Sequence, residues 1–273
     1  MATGGRLITG AGGFIGRNIL PHYYDREDCI LYLLEHGQFV DRLRRYLDAH
    51  VPPSARDRFR VVSGDITQAG LGLDAATADE MRGNVSRCIH LAAIYHLAVP
   101  EDAARRVNVD GTRNVLDFLE QCPNLQRLGF ASTTAIVGSY SGLYTEDDFD
   151  KGQTFKNYYE ETKFLSEKLV RDRWDRIPSV IYRPGYAVGH SKTGAIEKID
   201  GPYYAFTMIK RRMHLAAPNA PHVKFHAAPV DFVAAGMYHL LEDPDTAHQA
   251  YYLTDPDPVS YNDFYKLACE ALG

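Results

Sequence analysis

Thr9-Gly10-Ala11-Gly12-Gly13-Phe14-Ile15-Gly16 is the stretch on which the fold turns. It follows the apolar run Leu7 to Thr9 and opens a helical segment, so Gly10, Gly13 and Gly16 keep G-x-x-G-x-x-G spacing across a strand, a tight turn and a helix. Glycine is needed there because backbone amides must come close to a pyrophosphate at a helix N-terminus, whose unpaired N–H groups and dipole favour an anion. Side chains would block that approach, with Phe14 and Ile15 carrying the turn into the helix.

Working outward, further short apolar runs that read as buried strands occur at Cys29 to Leu34, Phe59 to Ser63, Cys88 to Leu91, Leu128 to Ser132 and Val180 to Arg183. Helical periodicity lies between them. Gln38 to Asp48 places Phe39, Leu43, Tyr46 and Leu47 on one face, and Pro100 to Gln121 carries Val107, Val109, Val115, Leu116, Phe118 and Leu119. Such alternation predicts a parallel sheet. After Arg183 the residues Pro184, Gly185, Gly189, Gly194, Gly201, Pro202, Pro218, Pro221 and Pro229 break the chain into short pieces, where a substrate lobe can be built. Val230 to Leu241 then reads as a helix and Ala250 to Thr254 as a strand returning to the main sheet.

The second run ends in Leu33-Leu34-Glu35, and Glu35 lies nineteen residues beyond Gly16. An acidic side chain there accepts hydrogen bonds from adenosine ribose hydroxyls and repels a 2′-phosphate, which favours NAD(H) and leaves NADP(H) as the alternative. Gly64-Asp65-Ile66 and His90-Leu91-Ala92-Ala93 stand at the carboxyl ends of the third and fourth runs, where open parallel sheets bind ligands. Asp65 and Ile66 are placed to flank an adenine. His90, among apolar neighbours with no adjacent carboxylate, reads as structural.

Among 18 tyrosines only Tyr159 has a lysine four residues on, Lys163. That spacing puts both side chains on one helical face, which Phe164, Leu165, Leu169 and Val170 continue as an amphipathic pattern. An ammonium beside the phenol is expected to lower its pKa from about 10, so that it exchanges a proton with a carbonyl oxygen. Ala131-Ser132-Thr133-Thr134 begins at the end of the fifth strand, and one of its hydroxyls should hydrogen-bond the substrate oxygen.

The chain's 273 residues, 45% hydrophobic and 24% charged, suffice for a sizeable core, and a net charge of −5 gives no pull toward nucleic acid. Cys29, Cys88, Cys122 and Cys269 are far apart in apolar surroundings and suit reduced, buried thiols. No metal site is expected, since His222 and His226 lack a third ligand. With no leader-like or membrane-spanning run, a cytoplasmic protein is expected. Neither a G-x-S-x-G elbow nor a G-x-x-x-x-G-K-[ST] loop is present.

In order, the glycine turn, Gly64-Asp65-Ile66, His90-Leu91-Ala92-Ala93, Ser132-Thr133-Thr134, Tyr159/Lys163 and Tyr182-Arg183-Pro184-Gly185 resemble an extended short-chain dehydrogenase/reductase. Within that superfamily the chain most resembles the thioester-reductase and fatty-acyl-CoA-reductase branch, through Gly70-Leu71-Gly72-Leu73, Asn108-Val109-Asp110-Gly111-Thr112-Arg113-Asn114, Phe155-Lys156-Asn157-Tyr158-Tyr159-Glu160 and Ile181-Tyr182-Arg183-Pro184-Gly185. The likeness runs from about Arg6 to Thr254.

The resemblance implies an α/β fold, a Rossmann-like doubly wound parallel sheet with a small C-terminal substrate-binding lobe. Residues 1–183 would bind the dinucleotide, with 229–255 returning to them, and 184–228 and 256–273 would form the lobe. By the same resemblance Thr133 is the catalytic hydroxyl, Tyr159 the acid/base and Lys163 its partner and the ribose contact. Ser132 would sit beside the cofactor, Asn108 would brace the site, and Pro184, Gly185 and Val188 would lie near the nicotinamide. The expected reaction is hydride transfer to an acyl thioester, free or carrier-bound, or to the derived aldehyde; a homodimer is compatible with it. Two departures from the branch stand out: Glu35 where Arg is frequent, and an end at Gly273 that would shorten the lobe. A nucleotide-sugar epimerase or dehydratase, a secondary-alcohol dehydrogenase and a dinucleotide-sensing module are the rival readings.

Overall fold

Strand runs buried on both sides need apolar residues at every position, and β1 (Gly5–Thr9) and β2 (Leu31–Glu35) are buried throughout. They are followed by β3 (Phe59–Ser63), β4 (Val85–His90), β5 (Arg127–Ala131), β6 (Ser179–Pro184), β7 (Tyr186–Val188), β8 (Ala227–Pro229) and β9 (Gln249–Leu253). Helices α1 (Phe14–Ile19), α2 (Val40–His50), α3 (Ala75–Asn84), α4 (Glu101–Ala104), α5 (Gly111–Leu119), α6 (Tyr158–Arg171), α7 (Pro202–Lys210), α8 (Val230–Glu242) and α9 (Tyr261–Leu272) complete the chain. This computed structural model describes residues 4–96, 98–197, 199, 201–213, 219 and 222–272; Pro218 and Pro221 lie outside them.

Seven strands make one sheet in the order β3-β2-β1-β4-β5-β6-β9, and every neighbouring pair is parallel. The chain builds outward from β1 to β3, then returns to add β4 on the other side of β1. The carboxyl ends of β1 and β4 therefore border the switch point, where helices leave to opposite faces and a crevice opens. Ile19, Leu43, Leu47, Val233 and Met237 cover one face with Ile8 and Leu33; Met81, Val115, Leu116, Phe118 and Val170 cover the other with Leu7 and Leu34. Each fully buried Leu or Phe contributes about 1.5–3 kcal/mol by leaving water, so this two-sided packing holds the strand ends in place.

Several elements depart from the sequence reading. Phe39 is exposed, because it sits in a 3-10 turn ahead of α2 with its ring under the Arg42 guanidinium; Val40, Leu43 and Leu47 form the buried face. Pro100 to Gln121 is helical but contains a π-turn at Arg105–Asp110. In the stretch that prolines and glycines seemed to fragment, Gly201 precedes α7 with Pro202 in its first turn, and β7 pairs with β8 as a separate small sheet. Cys29, Cys88 and Cys122 are buried free thiols, whereas Cys269 on α9 is only half-buried. No helix among the described residues is long and apolar enough to cross a membrane.

Candidate active site

Glycine at Gly10 is required by the backbone. Its φ is +71°, and a Cβ there would lie 2.9 Å from the Ala92 nitrogen. The turn after β1 is thus packed against Leu91-Ala92-Ala93 after β4, fastened by Leu91 N–H to the Thr9 carbonyl (3.2 Å) and Ala92 N–H to the Thr9 hydroxyl (3.2 Å). Gly16 admits α1 equally closely, since a Cβ would come within 2.6 Å of the Gly10 and Ala11 carbonyls. Gly13 caps α1, directly before Phe14 and Ile15.

Glu35 at the end of β2 is buried and accepts the Gly12 N–H at 2.8 Å. One carboxylate oxygen is thereby committed to shaping the glycine turn. Asp65 accepts from the Thr67 amide (2.9 Å) and hydroxyl (2.8 Å) and from Gln68 (3.2 Å). Burial works against its charge, but those hydrogen bonds prevail and lower its pKa. Asp65 therefore stabilises its own turn, while Ile66 packs against Gly111 at the start of α5.

His90 is fully enclosed. Thr112 donates its hydroxyl to the Asn108 carbonyl (2.6 Å), so it accepts from His90 Nε2 (3.1 Å), and His90 Nδ1 in turn accepts from the Thr9 hydroxyl (2.7 Å). Burial, with the nearby Lys163 charge, pushes the imidazole pKa down to about 3. It is a neutral strut beneath the crevice. Asn108 lies within the π-turn, a helical irregularity often found at functional sites. Its side chain accepts from Ile94 N–H (2.8 Å) and donates to the Ile94 carbonyl (3.3 Å) and the Thr162 hydroxyl (3.0 Å), tying the β4 turn to α6.

Asn157 caps α6 by accepting from Glu160 N–H at 3.0 Å, and Glu160 reaches back to Lys156 N–H at 3.1 Å. This fixes the first turn, where Tyr159 is 8% exposed with Tyr95 edge-on at 5.1 Å. Thr133 follows β5, accepts from Ala135 N–H at 3.2 Å and shares a hydrogen bond with Tyr159. Lys163, 5% exposed, points its ammonium at the Ala131 carbonyl (2.5 Å) and over the Phe130 ring (4.6 Å). Thr133, Tyr159 and Lys163 therefore converge at the carboxyl end of β5.

The electrostatics reverse one expectation. Burial raises the Tyr159 pKa, against the lowering effect of its Thr133 hydrogen bond, because the Lys163 ammonium is held by a carbonyl rather than by the phenol. Burial also brings Lys163 down to about 8, with Glu167 opposing the fall. At neutral pH the pair is a protonated phenol beside an ammonium, the form that gives a proton away.

Ser132 is turned inward, its hydroxyl donating to Glu167 at 2.5 Å. Pro184 ends β6, a Cβ on Gly185 would run into the His226 carbonyl, and Val188 lies in β7 on the lobe side. Sequence reasoning missed Glu167 as a site residue and left Arg183 without a role. Only the four-residue step from Lys163 to Glu167 was visible beforehand. Among the described residues no group of three His, Cys, Asp or Glu could hold a metal.

Sheet order, glycine turn and Tyr/Lys pair define an NAD(P)-dependent oxidoreductase domain of the extended short-chain dehydrogenase/reductase class. The family model described as male sterility protein, NAD-binding, matches residues 8–237, and the chain belongs to that family. The linear gramicidin synthase of Brevibacillus parabrevis is 27% identical over 271 residues, which span 94% of this chain but 5% of the synthase. The terminal R domain of the myxalamid PKS-NRPS pathway superposes with a TM-score of 0.86 at 28% identity, covering 97% of this chain and 69% of that one. A thiolation-reductase di-domain from an archaeal non-ribosomal peptide synthetase gives a TM-score of 0.82 at 24% identity, over 99% of this chain and 60% of the other.

Proposed function

We propose that the chain reduces an acyl thioester, carried on coenzyme A or on a carrier protein, to the aldehyde, with NADH as the preferred donor. The observation that carries this reading is the convergence of Thr133, a protonated Tyr159 and a charged Lys163 beside a glycine turn that tolerates no Cβ at Gly10 or Gly16. The likeness to reductase domains of peptide synthetases supports the choice of substrate.

The residues fit a dinucleotide. Gly10, Gly13 and Gly16 would take the pyrophosphate, Glu35 with its second carboxylate oxygen the adenosine ribose, and Ile66, Leu91, Ala92 and Ala93 the adenine side. Lys163 would hold the nicotinamide ribose, and Pro184, Gly185 and Val188 would border the ring. The bound reduced nicotinamide supplies hydride to the acyl carbon.

Thr133 and Tyr159 donate hydrogen bonds to the carbonyl oxygen as it gains charge. Tyr159 then supplies the proton that accompanies departure of the thiol, and the Lys163 charge stabilises the resulting phenolate until it is reprotonated. No cysteine need act as a nucleophile, in keeping with the raised pKa values that burial gives Cys29, Cys88 and Cys122. Segments 184–228 and 256–273 form the substrate lobe in this reading.

The test follows NADH and NADPH oxidation by purified protein with acyl-CoA and carrier-bound acyl thioesters, and in parallel with nucleotide sugars and secondary alcohols. Aldehyde and free thiol are the expected products. Turnover of nucleotide sugars or secondary alcohols alone would transfer the chain to the rival chemistry.

A further inference from the structure

Glu167 lies one turn beyond Lys163 on α6 and is 0% exposed, as is Arg183 on β6. Its oxygens are divided between elements. Oε2 accepts from the Ser132 hydroxyl at 2.5 Å and from Arg183 Nε at 3.4 Å; Oε1 accepts from Arg183 Nη2 at 2.8 Å and from Arg171 Nε at 2.9 Å. Arg183 spends its other N–H groups on main-chain carbonyls of Thr145 (3.2 Å), Glu146 (3.4 Å) and Asp148 (2.8 Å), in the loop that joins the Thr133 turn to α6. Tyr144 and Tyr252 flank its guanidinium at 5.5 and 5.6 Å.

We propose that Glu167 and Arg183 are positioning residues for the reduction, a buried ion pair that clamps the Thr133 strand end, the Tyr159/Lys163 helix and the 145–148 loop into one register. The inference rests on the reductase reading. Neither residue can touch substrate or dinucleotide, because both are fully covered. A buried ion pair gives little net stability over an apolar pair of the same shape, so its presence is better explained by the geometry it fixes. Ser132 is accordingly a brace, whose proton is committed to Glu167, and not the cofactor contact that the sequence suggested.

The clamp also sets charge. Lys163 is faced by Glu167 and Tyr159 from its own helix, by His90 from β4, and by the Ala131 carbonyl and Phe130 ring from β5, with Arg183 behind Glu167. Of these, Glu167 alone carries negative charge and favours the ammonium.

The experiment compares wild type, Glu167→Gln and Ser132→Ala for turnover of an acyl-CoA with NADH, for NADH affinity by fluorescence, and for the pH profile of kcat. Glu167→Gln is expected to lower kcat at least tenfold with KM and NADH affinity within threefold, and to move the alkaline limb to lower pH. Ser132→Ala, which keeps the ion pair, is expected to lower kcat threefold to tenfold with NADH affinity unchanged. A folded Glu167→Gln with kcat within twofold of wild type and an unmoved limb overturns the proposal. If Glu167→Gln does not fold, Ser132→Ala decides: unchanged kcat, or a several-fold loss of NADH affinity, overturns it. A wild type that turns over no thioester removes the reductase reading and this inference together, whereas an active wild type matched by both variants removes this inference alone.

Discussion

Lys163 donates to the Ala131 carbonyl at 2.5 Å, which places its ammonium at the carboxyl end of β5 and leaves the Tyr159 phenol to Thr133. The lysine is thus seated by the sheet and the tyrosine by a neighbouring hydroxyl. In the direction of reduction this division is useful, since the phenol must begin protonated and the cation must be in place before charge develops on it.

Tyr159→Phe removes the proton donor and keeps the ring edge-on to Tyr95. Turnover is expected to fall about 10²–10⁴-fold, the usual worth of a general acid, while NADH affinity stays within threefold. Steady-state rates and fluorescence titration check the two halves separately.

Lys163 has its pKa brought down to about 8, so it is charged below that pH and neutral above it. The kcat is therefore expected to decline as pH rises through about 8. Lys163→Met should abolish that limb along with most of the activity, as a pH–rate profile of both proteins will show.

Glu35 excludes a 2′-phosphate by charge and shapes the turn through Gly12 at 2.8 Å. Glu35→Ser is expected to raise the kcat/KM ratio of NADPH to NADH about tenfold or more, while the KM for NADH worsens through loss of the ribose contact. Parallel kinetics with the two donors measure it.

His90 gives a pH dependence of stability. An unfolded histidine titrates near 6.5 and His90 near 3, so between those values the unfolded chain binds the additional proton. The contribution is whole above pH 6.5 and is lost as pH falls, by about 1.4 kcal/mol per unit, or about 2 kcal/mol by pH 5. Urea unfolding at pH 7 and pH 5 should show that slope, and His90→Gln should flatten it.

The features legible in sequence are those set by neighbours along the chain. Gly10 to Gly16 announce a turn because only glycine meets a φ of +71° and the close approach of Ala92, and Tyr159/Lys163 share a face by helical period alone. The register of β1, β4, β5 and β6 follows from runs apolar at successive positions. What escaped notice depends on residues far apart in sequence, such as Ser132, Glu167 and Arg183, which meet only after β5, α6 and β6 are packed. The Lys163–Ala131 contact escaped likewise, and with it the direction of the Tyr159 shift, because spacing says that two side chains share a face but not which acceptor takes the ammonium. The π-turn around Asn108 had no cue in residue type.

The central claim is that hydride passes from a dinucleotide on the glycine turn to a carbon held against Tyr159. It is tested most directly by giving the protein an acyl thioester with NADH deuterated at one or the other face of nicotinamide C4. Mass spectrometry of the product is expected to find deuterium at the aldehyde carbon from one face only. Binding of NADH without transfer of deuterium from either face would contradict the account.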